Sequence, residues 1–153
     1  MMMTTIRDLT DADAAPIAGW MVRVPLWQRY GVTVEPMTAK MQAARASGHL
    51  MLVADIDGDP VGLAWVIPDG MFGRSPYLRT IGVHPDYLGR GIGSALLRAV
   101  EDRVRPALLF LLTSDFNVDA QRLYERHGFT HIGTVPDYVV PGVNEFLYLK
   151  RVE

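Results

Sequence analysis

The sequence predicts an α/β (α+β) fold: a mixed sheet of about seven strands flanked by about four helices, in a single domain spanning residues 1–153. Three observations predict it. Seven short runs rich in β-branched, aromatic and leucine residues are separated by turn clusters and helical patterns. The stretch from Ile81 to Leu97 reads as a strand, a glycine-rich turn and an amphipathic helix. Ala107 to Thr113 is almost wholly apolar, which fits a strand buried on both faces in a parallel position reached by a helical crossover.

Taken in order, Thr4 to Leu9 suits an edge strand. Thr10-Asp11-Ala12-Asp13 then supplies an N-cap and first-turn acids for a helix reaching towards Tyr30, kinked or split at Pro25. A second helix fits Pro36 to Ser47, where Met37, Met41 and Ala44 share a face and Gly48 ends the run. His49 to Asp55 and Val61 to Ile67 form a hairpin through Asp57-Gly58-Asp59-Pro60. After a loop at Pro68-Asp69-Gly70, Tyr77 to Val83 leads into the glycine turn. The next helix buries Ile92, Leu96, Val100 and Val104 and stops at Pro106. Asn117 caps the helix that follows, and Phe129 to Val135 and Asn144 to Lys150 are the last strands, linked by Pro136 to Gly142.

A chain of 153 residues removes roughly 70% of its unfolded surface from water on folding, enough for a core without staples. Hydrophobic residues make up 49% and charged residues 21%, with no repeat or low-complexity tract, so neither disorder nor a repeat array is expected. The absence of cysteine excludes disulfides, thiolate metal sites and a cysteine acyl-enzyme, and fits a reducing compartment. Met1 to Asp8 carries neither a basic leader nor an apolar run. No segment approaches the roughly 18 apolar residues that cross a bilayer, so a cytoplasmic protein without a membrane partner is expected. A formal net charge of −2 without a basic stripe gives no electrostatic reason for a nucleic-acid partner. Arg98, Arg103 and Arg105 alternate with Glu101 and Asp102 and read as a mixed solvated face.

The glycine-rich turn is the most informative local feature. His84 precedes Pro85 and is pushed towards extended geometry, while Gly89, Gly91 and Gly93 permit positive φ and remove Cβ atoms that would block a ligand. Backbone N–H groups left free there, with the positive end of the helix dipole, suit a phosphate or diphosphate without a metal. Two common nucleotide loops do not fit. No Gly-Lys-Ser/Thr occurs, and a dinucleotide fingerprint starting at Gly91 would place Leu96 where glycine or alanine belongs. Leu88-Gly89-Arg90-Gly91-Ile92-Gly93 instead resembles motif A of the GNAT superfamily of N-acetyltransferases, and Asn117 to Phe129 resembles motif B. The resemblance covers roughly residues 50 to 150. Leu88 stands where the family usually has Gln or Arg, which removes one side-chain contact to the phosphates and leaves the backbone donors and Arg90.

The resemblance implies a splayed V between the fourth and fifth strands, acetyl-CoA as cosubstrate, no metal, and direct attack of a primary amine on the thioester in a ternary complex. Ile81 and Val83 would line one wall of the V beside the pantetheine, although burial in a strand explains their type equally well. The cofactor loop would comprise Leu88, Gly89, Arg90, Gly91, Gly93 and Ser94, with the main-chain amides of residues 89 to 94 around the diphosphate. Tyr124 matches the motif B tyrosine that commonly lies near the CoA sulfur. Its reference pKa of about 10 keeps it protonated at neutral pH, as an acid must be. Its other reading is an aromatic on the inner helix face with Ala120 and Leu123. Asn117 fits a helix N-cap and a pantetheine hydrogen bond equally.

An amine with a pKa near 10.4 is mostly protonated at pH 7, so a base or water chain is needed, and an N–H near Val83 is the family-like oxyanion donor. The family often places a carboxylate on the strand before motif A, but Leu78-Arg79-Thr80-Ile81 has none. Among Glu35, Asp69, Asp137 and Glu145, the candidate base is Glu35, expected in the loop between the first helices; the competing reading of each is a solvated loop charge. His127 and His131 are separated by a helix break at Gly128-Phe129 and do not share a face as metal ligands would. Trp20, Trp27, Trp65 and Phe72 suit a core or an acceptor pocket. Asp137 and Tyr138 are expected near the acceptor. A small-molecule or protein amine, a longer acyl group, a CoA-binding regulatory module without chemistry, and a homodimer all stay open.

Overall fold

Asp57-Gly58 carries two successive positive φ angles, 53° and 89°, which is the backbone that closes a two-residue hairpin. In the computed structural model, which describes residues 3–153, this turn joins β2 (Leu50–Ile56) to β3 (Asp59–Met71). Met1 and Met2, the start of the segment read as lacking a leader, lie outside the described residues. With β1 (Thr4–Asp8) and β4 (Ser75–Val83), these strands form an antiparallel meander. Beyond β4 the sheet continues through β5 (Ala107–Ser114), β7 (Glu145–Val152) and β6 (Thr130–Val135), giving seven strands in the order β1-β2-β3-β4-β5-β7-β6. Among the described residues only β4 and β5 run parallel.

The Pro68-Asp69-Gly70 loop, the helix count and the start of the third helix differ from expectation. Pro68-Asp69-Gly70 is not a loop: β3 continues to Met71, and the chain reverses at Phe72-Gly73, both with positive φ. The register slips between Ile67 and Met71, so a bulge absorbs the missing ladder donor of Pro68 without ending the strand. The first helical stretch reaches Arg29, with Tyr30 as its C-cap, and is split at Pro25 as expected. It splits into α1 (Asp11–Met21) and α2 (Pro25–Arg29), because Pro25 suits the first turn of a new helix, where no N–H is needed. The split gives five α-helices among the described residues instead of about four. The next helix, α3 (Val34–Ala46), starts two residues early and takes in Glu35; Pro36 falls in its first turn and is tolerated there for the same reason.

Period-two alternation buries the sheet on both faces. Leu52 and Ala54 of β2 point to one core with Leu78, Leu109, Leu111 and Tyr148, which α4 (Ile92–Val104) covers with Ile92, Leu96, Leu97 and Val100. Tyr124 of α5 (Val118–Arg126) joins that core. Met51 and Val53 point to the other, with Leu63, Trp65 and the apolar faces of α1 and α3.

Arg7 of β1 ties three elements together. Its two terminal nitrogens donate to both Asp13 oxygens at 2.8 and 2.9 Å, and Nε donates to Asp55 Oδ2 at 2.8 Å. Asp13 also accepts the Thr10 backbone N–H at 2.7 Å, satisfying the start of α1. The guanidinium holds the Asp13 carboxyl below its ordinary 3.8. Asp13→Ala is therefore expected to lower stability by about 1–3 kcal/mol at pH 7 in urea unfolding. A carboxyl with a depressed folded pKa contributes fully above 3.8 and less as pH falls through its folded value, so the deficit should shrink in acid. Equal stability of the two proteins at pH 7 would contradict this assignment.

Candidate active site

β4 and β5 pair only at Tyr77–Phe110 and Leu78–Leu111. β4 stays paired with β3 as far as Val83, and β5 with β7 as far as Ser114. Each strand is thus held by its other neighbour while the two part, forming a V with residues 79–83 on one arm and 112–114 on the other. Along the inner edge of β4 the backbone N–H and C=O groups keep free hydrogen-bonding capacity. A cleft of about 600 Å³ occupies the V. Of the expected site residues, Ile81, Val83, Leu88, Gly93, Asn117 and Tyr124 line it.

The glycine turn adjoins this cleft. His84 (φ −53°, ψ 133°) accepts the Asp86 N–H on Nδ1 at 3.0 Å and starts a short 3₁₀ turn at Pro85–Tyr87. Gly89 and Gly91 have φ of 75° and 76°, a left-handed backbone that other residues adopt only with strain. Gly91 occupies the N-cap of α4, and neither a side-chain cap nor a first-turn acid competes for the free N–H groups. The helix therefore presents its positive end undiluted to an anion. Gly89, Arg90 and Gly91 are exposed at the rim and do not line the cleft itself. The Arg90 guanidinium lies 4.9 Å from the Tyr87 ring centroid. Ser94 Oγ is 3.0 Å from His127 Nε2.

Tyr124 is buried between Phe129 and Tyr148, with ring centroids 5.9 and 6.0 Å away. Burial, then the charges of Tyr77 and Tyr148, push its hydroxyl above the ordinary tyrosine value, keeping it protonated. It lies on the inner face of α5 with Ala120 and Leu123 and also faces the cleft, so its two readings coincide. Asn117 likewise does both: Oδ1 accepts the Ala120 N–H at 3.3 Å as a cap, and the residue lines the cleft.

The carboxylates sort differently from expectation. Glu35 is exposed on the first turn of α3, not in a loop, and is not part of the cleft wall. Asp69 sits on the β3 bulge, and Asp137 accepts the Gly142 N–H at 2.7 Å to close its own loop, in which Tyr138 and Val139 line the cleft. Glu145 is the carboxylate in the cleft. It is buried at the start of β7 opposite Ser114, and accepts a hydrogen bond from the Tyr30 hydroxyl at 2.7 Å; Tyr30 is also hydrogen-bonded to Ser114 Oγ. Burial pushes the Glu145 carboxyl above the usual range and the Tyr30 hydroxyl up to about 12.

Tyr30 and Ser114 had no signal in the sequence, since the bonded partners are 84 and 115 residues apart. Arg79 had one, as the single charge within the run Tyr77 to Val83. It is half-buried in the cleft wall with its guanidinium 3.9 Å above the Trp65 ring. Among the aromatics, Trp20 and Trp65 are core residues whose N–H groups donate to Pro60 O and His49 Nδ1, Phe72 is exposed at the β3–β4 turn, and Trp27 lines the cleft. His127 and His131 go to different partners, Ser94 and Gly133 O.

The model of the acetyltransferase (GNAT) family matches residues 17–129 of this chain. The chain belongs to the GNAT acetyltransferase family. Solved members superpose over nearly the whole molecule. A GNAT family acetyltransferase from Bacillus cereus gives a TM-score of 0.82 at 18% identity, covering 99% of both chains. A ribosomal-protein-alanine N-acetyltransferase from Brucella melitensis gives 0.80 at 22% identity, over 96% of this chain and 99% of that one. A Salmonella typhimurium protein solved with its cofactor acetyl-CoA gives 0.77 at 21% identity, over 98% and 94%. The seven-stranded mixed sheet splayed between β4 and β5 is thus the GNAT fold. Among its described helices none is long and apolar enough to cross a membrane.

One close approach fixes the β4 arm in this GNAT chain. A Cβ built on Gly82 would overlap Trp27 Cη2, so the indole rests directly on the backbone between Ile81 and Val83. Gly82→Ala is expected to destabilise the fold by about 1–3 kcal/mol, and the loss should largely vanish when Trp27→Ala is present. A double-mutant cycle by thermal unfolding reads this directly; additive effects would show that the contact does not constrain the arm.

Proposed function

We propose that this GNAT protein is an acetyl-CoA-dependent N-acetyltransferase that moves an acetyl group to a primary amine by direct attack. Residues 1–153 would act as one catalytic domain in the cytoplasm. The observation that carries the reading is a V-shaped cleft that meets an uncapped helix N-terminus at Leu88 and Gly93 and has a protonated tyrosine and a carboxylate in its walls.

The residues present fit the cosubstrate. The first-turn amides of α4, with Leu88, Gly89, Arg90, Gly91, Gly93 and Ser94 around them, suit a diphosphate. The free edge of β4 at Ile81 and Val83, with Asn117, suits the amides of a pantetheine arm, as an added strand would. A backbone N–H near Val83 supports the oxygen of the thioester carbonyl as it gains charge. The acceptor nitrogen attacks that carbon, an N–C bond forms and the C–S bond breaks. Tyr124 Oη hands a proton to the departing sulfur. Burial raises the pKa of a thiol as it raises that of Tyr124, so both ends of this transfer shift in the same direction. The surplus proton on nitrogen leaves through Glu145, whose raised pKa brings it closer to the working pH of a base.

Thiol release from acetyl-CoA across a broad amine panel tests the function; tight acetyl-CoA binding without turnover on any amine would overturn it. Tyr124→Phe is expected to lower kcat by about 100-fold with acetyl-CoA affinity unchanged. Glu145→Gln should lower kcat/KM by about 10- to 100-fold and remove the acid limb of the pH profile, in which activity rises as Glu145 deprotonates. An unchanged kcat in Tyr124→Phe while chemistry limits turnover, or an intact acid limb in Glu145→Gln, would remove that residue from its role.

A further inference from the structure

We propose that the acceptor is a small amino-carboxylate, held with its carboxylate on Arg79 and its amine towards Glu145. This rests on the N-acetyltransferase reading above and narrows its substrate class.

Arg79 is the extra residue of a β-bulge. Trp65 pairs with Thr80 and Val66 with Leu78, so Arg79 has no residue opposite it on β3. Bulges re-aim side chains, and this one lies directly after Leu78, the last residue of β4 paired to β5, at the apex of the V. The guanidinium is stacked on Trp65, and Nη1 donates to Thr80 Oγ1 at 3.1 Å. Among the described residues no carboxylate pairs with it, although it is half-buried in the cleft wall. Burial lowers its pKa, the mark of a cation that the protein does not neutralise. Its remaining donors form the planar fork that matches a carboxylate in two parallel hydrogen bonds.

Glu145 lies on the same side of the sheet. Leu111 and Tyr148 are register partners in the α4-side core, and Glu145, three residues before Tyr148, points the opposite way by strand alternation, to the side of Trp65. Tyr77 lines the same cleft as both charged groups. Among the described residues Glu145 has no cationic partner, and its other contacts are the hydroxyl of Tyr30 and the neighbouring charge of Asp115. The cleft therefore has a cationic end and an anionic end that do not neutralise each other. A molecule carrying both a carboxylate and an amine satisfies both; an alkylamine or a peptide N-terminus leaves the guanidinium uncompensated. Leu26, Trp27 and Val139 add apolar wall for an uncharged side chain.

The test uses the full chain with saturating acetyl-CoA and reads thiol release. The protein amino acids, β-alanine and γ-aminobutyrate are each compared with the corresponding amide and decarboxylated amine. The acids that react are expected to exceed their amides by about 100-fold in kcat/KM. Arg79→Gln should lose about 10- to 100-fold on the acids, through KM, and clearly less on the amides, so that the acid-over-amide preference collapses, and Arg79→Lys should recover part of the loss. Acids and amides turned over alike, or a preference for acids that survives Arg79→Gln, overturns the assignment. Turnover confined to amides or alkylamines overturns it while leaving the N-acetyltransferase reading intact; no thiol release with any amine overturns both. The comparison of acid with amide on the unaltered protein does not depend on the variants folding.

Discussion

The parting of β4 from β5 after two residue pairs is the constraint on which the rest of the structure depends. A buried backbone polar group without a partner costs about 1–3 kcal/mol, so a sheet does not open in its middle unless the flanking structure holds it open. Here the antiparallel meander anchors one arm and β7 the other. The short helix α2 and the residue after it bridge the two. Trp27 rests on Gly82 of the β4 arm, and Tyr30 bonds Ser114 and Glu145 at the tips of β5 and β7. A five-residue helix with no buried residue of its own thus acts as a strut across the opening.

Strand alternation then divides the labour. Ile81 and Val83 pack towards the α4-side core, next to the glycine turn and Tyr124, whereas Gly82 faces Trp27 on the other side. Arg79 and Glu145 lie with Trp65 on the side of α1 and α3. On the proposed reading, cosubstrate and acceptor approach from opposite faces of one sheet and meet only where the sheet is open, which makes direct transfer the geometrically natural reaction.

What was legible in the sequence was local. Alternating apolar runs, the Asp57-Gly58 turn, the left-handed Gly89 and Gly91 after Pro85 and the cap at Asn117 each determine structure within a few residues, and each lies where the pattern indicates, whereas Gly93 is an ordinary helical residue of α4. The split at Pro25 falls where it was expected, but the start of α3 was placed at Pro36 instead of Val34, because proline both ends a helix and suits its first turn, and only the tertiary contacts of the flanking residues decide between them. That ambiguity displaced Glu35 from its expected loop to the exposed side of α3. The Tyr30–Ser114–Glu145 cluster and the bulge that aims Arg79 arise from pairings between distant segments, for which no local spacing exists. The glycine turn and helix start that form the proposed cofactor side were therefore readable as a motif, and the residues of the proposed acceptor side were not.

The central claim is that the opened edge of β4 and the uncapped start of α4 together form a coenzyme A site. Calorimetric titration of the folded, unmodified protein with acetyl-CoA tests it most directly. Saturable one-to-one binding with Kd in about the micromolar range is the expected result. The absence of any binding heat or competition by coenzyme A up to millimolar concentration, on protein shown to be folded, would contradict it.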